Sequence, residues 1–348
     1  MKQLNIISEN KNESVLDLLN ICKTSMGKRE LKQIIVKPIY DISFLNKEYD
    51  IIENLNNVYT EITQPIRNTL SNVRDNQELL RYLIMKKINP SQIYNLYNNV
   101  LKCNEILSVI KNNSGVVNYL NYKNYDIIES TEINNEIRSN IEDIFKIELL
   151  LDNDNLNISQ NIFNSKYSEE LNKFENDLNA NRSKLENILF ELNKIIEKHE
   201  RKTGNYVKLY ETEKAIPQII CTKKRSKIIE DYIKRGENEY NIPTEFLSNL
   251  SINKSTTSNI YMSNSYIYTT SSKYSKLRDS WREILNRIFM LSLEDITSMF
   301  VDLKKVGNLL SLIDVITTKS EISKRFNYCK PKIDNINDKS YVSAREIR

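Results

Sequence analysis

Turn-forming residues are scarce in this chain of 348 residues, which has only 5 glycines and 6 prolines. Antiparallel β-sandwiches and regular βαβ folds need frequent turns, so this scarcity argues against both architectures. Long runs of Leu, Ile, Lys, Glu and Asn fill the sequence instead. The composition therefore predicts a mainly α-helical protein with more than one core.

Metal-ligating side chains are also few. The sequence has one histidine, and its four cysteines are far apart, with no Cys-x-x-Cys pair. This pattern argues against a zinc site and favours a reducing, intracellular compartment. Because no apolar run approaches transmembrane length and the first ten residues do not resemble a signal sequence, we expect a soluble protein without a membrane partner.

Positive charge is concentrated locally. The net charge is only +4, but residues 201–228 hold eight Lys or Arg against two acidic residues. Residues 251–278 hold four basic residues and no acid, whereas residues 229–250 between them hold five acids and two basic residues. Local basic segments point to a phosphate-rich partner more strongly than the net charge does.

Helix-start signals mark the first part of the chain. Thr24 and Asp41 are suited to cap helices, and Asn89 precedes a proline at a first helical position. Apolar residues recur near the helical period after each signal, although the period weakens between residues 112 and 161. The sequence predicts a helical core domain over residues 1–170.

Two long helices are predicted beyond this domain. From Leu171 to Ile195, apolar residues are spaced alternately by three and four, with one polar position at Asn181, which is typical of a coiled-coil seam. A helix ending near Lys202 would be roughly 45–50 Å long. A second apolar run, from Leu277 to Ile313, is expected to return antiparallel beside the first.

The segment between the two helices differs in chemistry. It contains four short runs rich in β-branched and aromatic residues: Tyr206–Tyr210, Ile216–Cys221, Asn259–Met262 and Tyr266–Thr270. A small β-containing insert, residues 205–272, therefore separates a first long helix, residues 171–204, from a returning segment, residues 273–348. A coiled-coil scaffold or tether is the alternative, and it predicts no sheet between residues 205 and 272.

Several stretches occur in the order found in one family, the MutS-type DNA mismatch-repair proteins. The first resembles the opening of the MutS core domain, and the others resemble the end of its descending lever helix, the step out of its clamp and the entry into its ATPase domain. In order, they are Lys23–Leu31 with Ile35, Pro38, Asp41, Ile42 and Asn46; Glu200–Gly204; Tyr268–Thr270 with Leu277; and Asn327–Pro331 with Glu346–Arg348.

The resemblance implies a helical core with two antiparallel lever helices and a small β-containing clamp inserted between them. Such a clamp would grip the backbone of double-stranded DNA without sequence specificity, and the levers would relay binding to ATPase domains outside this chain. ATP and Mg would belong to those domains, and the full-length protein would be a dimer. The mismatch-reading domain would precede Met1, so the resemblance leads us to expect a fragment bounded at domain edges.

Candidate DNA-binding residues lie in and beside the basic segments. One group follows directly on an apolar strand, where its cations can neutralise phosphates, although such runs are often solvated surface. A second group falls where the family has a Lys-Asn pair, with two flanking lysines; an ordinary loop Asn is the alternative. The candidates are Lys223, Lys224, Arg225 and Lys227, then Ser263 and Asn264 with Lys254 and Lys273.

The sequence predicts neither an enzyme nor a nucleotide site. No compact Asp/Glu/His group suggests a catalytic or metal centre of the kind that a nuclease needs, and Gly-x-x-x-x-Gly-Lys-Ser/Thr is absent. Without that loop, backbone N–H groups cannot cradle phosphates in the P-loop manner. We therefore expect no saturable ATP binding in isothermal calorimetry of this chain, and a stoichiometric binding curve would overturn the domain assignment.

Overall fold

The computed structural model describes residues 6–7, 14–151, 153–154, 160–212, 216–236, 240, 242–243, 251–254, 259–333 and 342–345. The chain divides into two compact units. Unit 1 comprises Met1–Leu156 and Met290–Arg348, and unit 2 comprises Asn157–Phe289. Two distant stretches of sequence thus form one unit, and the residues between them form the other.

The described part of the chain is mainly helical, as predicted. A π-helical turn, Tyr59–Thr63, lies between the third and fourth α-helices. The α-helices in chain order are α1 (Val15–Leu19), α2 (Ser25–Val36), α3 (Ile42–Asn57), α4 (Gln64–Leu70), α5 (Asn76–Ile84), α6 (Pro90–Ile110), α7 (Ser114–Tyr122), α8 (Ile127–Ile144), α9 (Ile147–Leu150), α10 (Glu169–Glu200), α11 (Lys223–Lys234), α12 (Ser265–Ser298) and α13 (Phe300–Phe326).

The predicted helix starts in unit 1 are confirmed. Thr24 accepts a hydrogen bond from the amide of Gly27 at 2.9 Å and so caps α2. Asp41 caps α3 in the same way, and Asn89 forms a reciprocal capping box with Gln92 at the start of α6. Each cap satisfies amides that a helix leaves unpaired in its first turn, which is why these boundaries can be read from the sequence.

Helix α13 is the central element of unit 1. It packs against α2, α3, α4, α5, α6 and α8, and most of its residues from Leu303 to Ile322 are buried. The apolar run from Leu277 to Ile313 does not form one continuous helix, because α12 ends at Ser298, α13 begins at Phe300, and Met299 lies between them. The sequence prediction of a single returning helix is corrected at this residue.

A buried carboxylate joins α13 to the start of α2. Asp314 is fully buried, and it accepts hydrogen bonds from the amide and hydroxyl of Thr24, both at 2.7 Å, and from the amide of Lys23 at 3.0 Å. The positive end of the α2 dipole adds to this stabilisation. A Cβ at Gly27 would lie 2.3 Å from Asp314 Oδ2, so the contact requires glycine.

Helices α10 and α12 run antiparallel within unit 2, as predicted. Glu170 forms an ion pair with Arg287 at 2.5 Å, and Arg182 interacts electrostatically with Tyr274. From Glu170 to Arg182 the chain advances 12 residues along α10, while the partners on α12 move back 13 residues, from Arg287 to Tyr274. Ile267, near the start of α12, completes the pattern by sharing a buried cluster with residues near the end of α10.

The predicted seam of α10 is confirmed at five apolar positions, whereas Phe174 and Leu178 are only half-buried. Leu171, Leu185, Ile188, Leu192 and Ile195 are all buried. The polar position on the seam is also buried, and its side-chain amide donates to a backbone carbonyl one turn earlier. The single histidine, His199, lies in the last turn of α10 and is exposed, unlike the buried seam positions.

A four-stranded antiparallel sheet lies between α10 and α12 in the sequence. Its strands have the spatial order β1-β2-β4-β3, and one face carries Ile219, Cys221, Ile260 and Met262, all buried. Ile219, Cys221 and Met262 share their core with the last turns of α10 and with α11. The strands are β1 (Lys208–Tyr210), β2 (Gln218–Thr222), β3 (Ser251–Lys254) and β4 (Asn259–Ser263).

Three predicted strands are confirmed, but the fourth prediction was wrong. Tyr266–Thr270 forms the first turns of α12, because Asn264 accepts the Ile267 amide at 2.7 Å and starts a helix. On α12, Ile267, Thr270 and Tyr274 are buried and follow one another at helical spacing. Local β propensity is overridden by the cap and by packing. Strand β3 was not predicted.

We expect Gly27→Ala to destabilise the protein by about 1–3 kcal/mol, because the added methyl group must displace the buried Asp314 carboxylate. Helix propensity alone would give the opposite sign, a gain of about 1 kcal/mol. Lys28→Ala is the matched control on the adjacent, exposed position of α2. Urea unfolding followed by circular dichroism decides between the two signs, and stabilisation by Gly27→Ala would refute the close contact.

We expect Leu185→Asp to destabilise unit 2 by about 3–5 kcal/mol, because Leu185 is fully buried and the new carboxylate would have no partner on the seam. Ser183→Asp introduces the same charge on the exposed side of α10 and is expected to change stability by less than about 0.5 kcal/mol. Equal melting curves for the two variants would show that α10 is solvated at residue 185.

Candidate nucleic-acid interface

The end of α10 is fixed by hydrogen bonds to the chain that follows it. Arg201 ends the helix in the left-handed conformation, with φ 52°. Asn193 then accepts the amides of Tyr206 and Val207 at 2.7 and 2.8 Å. The amide of Gly204 also donates to a glutamate side chain of the last turns. These contacts place the start of β1 against the end of α10.

The basic run after β2 forms a helix. The predicted position of these cations directly after an apolar strand is confirmed, because β2 ends at Thr222. Lys223 is in addition the first residue of α11, a helix that the sequence did not predict. Thr222 is extended, with φ −77° and ψ 154°, and leads directly from β2 into the helix. Ser226 and Ile229 are buried at helical spacing, so packing fixes this helix although its first turns are cationic.

Helix α11 runs back along α10. At its start Arg225 meets Glu200, the last residue of α10. Further along, Tyr232 and Ile195 line a small cavity of about 190 Å³. The first turn of α11 therefore lies beside the last turn of α10, and their basic residues are brought to the same end of unit 2.

Three predicted site residues, Lys223, Lys224 and Lys227, are exposed on the first turns of α11. Among the described residues, no carboxylate lies within ion-pair distance of them. Arg201 and Lys202 are also exposed at this end. We call these five residues the basic tip. The positive end of the α11 dipole adds potential of the same sign, so the basic tip can attract anions.

Arg225, the fourth cation of the run, has internal partners. Its Nε lies 3.2 Å from Glu200 Oε1, and its Nη2 lies 3.3 Å from Oε2 of the same carboxylate. Its guanidinium also lies over the Tyr206 ring, 4.0 Å from the ring centre. Hydrogen bonding to Arg225 lowers the pKa of Glu200 below its ordinary value, so the pair is ionised at neutral pH.

Lys254 is the last residue of edge strand β3. Its backbone pairs with Ile260, which in turn pairs with Cys221 of β2. Two interstrand spacings put Lys254 about 9.6 Å from Cys221, at the end of the sheet where α11 begins. Its side chain lies outside the described residues, so its predicted contact with DNA stays a prediction.

The predicted pair Ser263 and Asn264 lies at the opposite end of the sheet. Strand β4 runs from Asn259, paired with Thr222, to Ser263, which is about 13 Å away along the strand. Asn264 is only 6% exposed, and its side-chain oxygen caps α12. The structure thus gives Asn264 a local structural role, and phosphate contact by this pair stays a prediction.

Lys273 is exposed on α12 but is distant from the basic tip. Its neighbour Tyr274 interacts with Arg182, which precedes Glu200 by 18 residues on α10. At 1.5 Å per residue this is roughly 27 Å along the helix. The eight candidate residues therefore do not lie together. Only the residues on α11 and the backbone of Lys254 share one end of the sheet, the end where α11 begins.

Arg201 and Lys202 were not among the residues predicted individually. The available signal was the excess of basic residues in 201–228, which includes both. Sequence reasoning could not place them beside α11, because their proximity depends on the antiparallel packing of α10 and α11. Among the described residues, no group of three or more His, Cys, Asp or Glu side chains could hold a metal ion. No helix there is both long and apolar enough to cross a membrane.

Comparison with known proteins identifies the family. A putative DNA mismatch repair protein mutS homolog of Acanthamoeba polyphaga mimivirus is 24% identical over 371 residues, covering all of this chain and 32% of that protein. The DNA mismatch repair protein MutS of Borreliella burgdorferi is 29% identical over 223 residues, covering 58% of this chain and 25% of the relative. MutS of Borrelia turicatae is 42% identical over 74 residues, or 21% of this chain and 8% of the relative.

The chain thus spans about a third, or less, of the length of these relatives. The family model described as MutS domain III matches residues 1–319, which include all of unit 2, the basic tip and all of unit 1 except residues 320–348. The resemblance carried by the segment around Thr24 is confirmed. On this match, the chain belongs to the MutS family, as a MutS domain III sequence.

Proposed function

We propose that this chain is the lever-and-clamp region of a MutS-like mismatch-repair protein, and that its basic tip grips the phosphate backbone of double-stranded DNA. The single observation that carries the proposal is the exposure of Lys223, Lys224 and Lys227 together at the start of α11. Lysines placed on a fixed helix can neutralise phosphates and release counterions, which favours binding to DNA.

The chemistry of the basic tip favours backbone contact over base reading. Sequence is read in the major groove by side chains such as Asn, Gln and Arg, which make paired hydrogen bonds to bases. Four of the five residues of the basic tip are lysines, which act as point charges, and Arg201 is its one arginine. Arg225, the arginine on α11, is held by Glu200. We therefore expect affinity to depend little on DNA sequence.

The long helix α10 supports a relay role for the lever. Its 32 residues extend about 48 Å from the basic tip. In the proposed full-length protein, the levers would relay DNA binding to ATPase domains outside this chain, where ATP and Mg would bind, and two copies would form a dimer. This chain would contribute no catalytic residue of its own.

The alternative of a coiled-coil scaffold or tether is less well supported. It predicts no sheet between residues 205 and 272, whereas β1, β2, β3 and β4 all lie in that interval. A nuclease was the other alternative, and no observation among the described residues favours it. The sheet-bearing insert with its basic tip is better explained by a DNA clamp.

We expect the triple variant K223A/K224A/K227A to bind a mixed-sequence DNA duplex more weakly and with less dependence on salt. Each lost phosphate contact lowers the slope of log affinity against log salt by roughly 0.9, so three lost contacts lower it by about 2–3. Fluorescence anisotropy between 50 and 200 mM salt measures the slope. Circular dichroism is expected to stay unchanged, because all three side chains are exposed.

The matched control is K28A/K32A/K37A, which removes three exposed lysines from or beside α2 in unit 1. Its net charge equals that of the first variant, so only the position of the lost charges differs. If both triple variants lower the slope equally, the basic tip is not the DNA contact. If the native chain shows no salt-dependent binding, the proposed function fails.

A further inference from the structure

Arg225 is by chemistry the strongest phosphate ligand of the basic run. A guanidinium offers two parallel N–H donors to one phosphate, whereas a lysine ammonium acts as a point charge. In this structure the Nε and Nη2 groups of Arg225 both donate to the Glu200 carboxylate, at 3.2 and 3.3 Å. The best phosphate ligand within the run Lys223–Lys227 is thus occupied within the protein.

The surroundings of Arg225 strengthen this internal pairing. The guanidinium rests on the Tyr206 ring, and the Tyr206 hydroxyl is itself anchored by donating to the carbonyl of Lys202 at 2.9 Å. The backbone amide of Tyr206 is held by Asn193. Because the Tyr206 ring is held at two points, it cannot follow a rotation of the Arg225 side chain toward solvent. Such a rotation would break both the contact with the ring and the pairing with Glu200.

Partial burial makes it harder for a phosphate to replace Glu200 as the partner of Arg225. The side chains of Arg225 and Glu200 are 28% and 20% exposed. Screening by water and salt is therefore somewhat weaker than for an open surface pair, and a phosphate must compete with a carboxylate that already faces the guanidinium. Glu200 also interacts electrostatically with Lys224 and His199, so its negative charge reduces the potential of the whole end of α10.

We infer that Glu200 withholds Arg225 from DNA and thereby limits the affinity of the basic tip. The inference rests on the proposed function and identifies a regulatory residue within that site. Arg225 is then a positioning residue, which fastens the start of α11 to the end of α10, while Lys223, Lys224 and Lys227 make the phosphate contacts. Removing the Glu200 charge frees Arg225 to add a contact.

The test is a double-variant cycle on the full chain with a fully paired duplex of about 30 base pairs. We expect Glu200→Gln to tighten binding several-fold at 50 mM salt and to steepen the slope of log affinity against log salt by roughly 0.9, equivalent to one phosphate contact. Arg225→Ala alone is expected to weaken binding, because it leaves the Glu200 charge unpaired beside the basic tip, but not to steepen the slope, since it adds no phosphate contact. The double variant E200Q/R225A is expected to return to the native slope.

Asp231→Asn is the control for loss of one negative charge, because Asp231 is exposed on α11 two turns beyond Lys224 and has no contact with Arg225. It is expected to leave the slope unchanged. Circular dichroism melts of all four variants confirm that α10 and α11 remain folded. A variant that melts early is replaced by Arg225→Gln or Glu200→Ser, which keep a polar group at the position.

Two outcomes would overturn the inference. A native slope for Glu200→Gln would show that Glu200 does not withhold a contact. A steeper slope that persists in E200Q/R225A would show a general effect of charge without participation of Arg225. Failure of the proposed function is distinguishable, because the native chain would then show no salt-dependent DNA binding that the three lysines control.

Discussion

The buried carboxylate of Asp314 joins the two separated segments of unit 1. It lies near the C-terminal end of the sequence and accepts hydrogen bonds from Thr24 and Lys23 near the beginning. Helix α13 can become the centre of unit 1 only if α2 meets it in this way, and Gly27 provides the necessary space. An unpaired carboxylate there would be strongly destabilising, so this contact constrains how the rest of the unit packs.

The same constraint gives the chain its insertion topology. Because residues on both sides of 157–289 fold together, the intervening chain must leave unit 1 and return to it. Antiparallel α10 and α12 meet this requirement, and their apolar faces bury residues that neither helix could bury alone. The sheet and α11 then complete a core at the far end of α10.

The end of α10 carries exposed positive charges and also a carboxylate that pairs with one arginine. Exposed lysines and Arg201 of the basic tip produce a positive surface, while Glu200 pairs with the neighbouring Arg225, which lies outside the basic tip. In the proposed DNA-gripping role, contacts made through lysines would give an affinity that falls as salt rises. Family membership, the helix-end geometry and the charge pattern thus support one interpretation of the site.

The sequence by itself determined the features that depend on neighbouring residues. Thr24, Asp41 and Asn89 cap helices through amides three residues away, and the seam of α10 follows from its apolar period. The Asn264 cap on α12 is equally local, but β propensity masked it in the sequence, and the buried face of α12 shows that Tyr266–Thr270 is helical. Only the tertiary structure decided that Arg225 pairs with Glu200. It also separated Lys273 from the basic tip. These outcomes depend on helix register and on contacts between distant segments, which local propensity and periodicity do not encode.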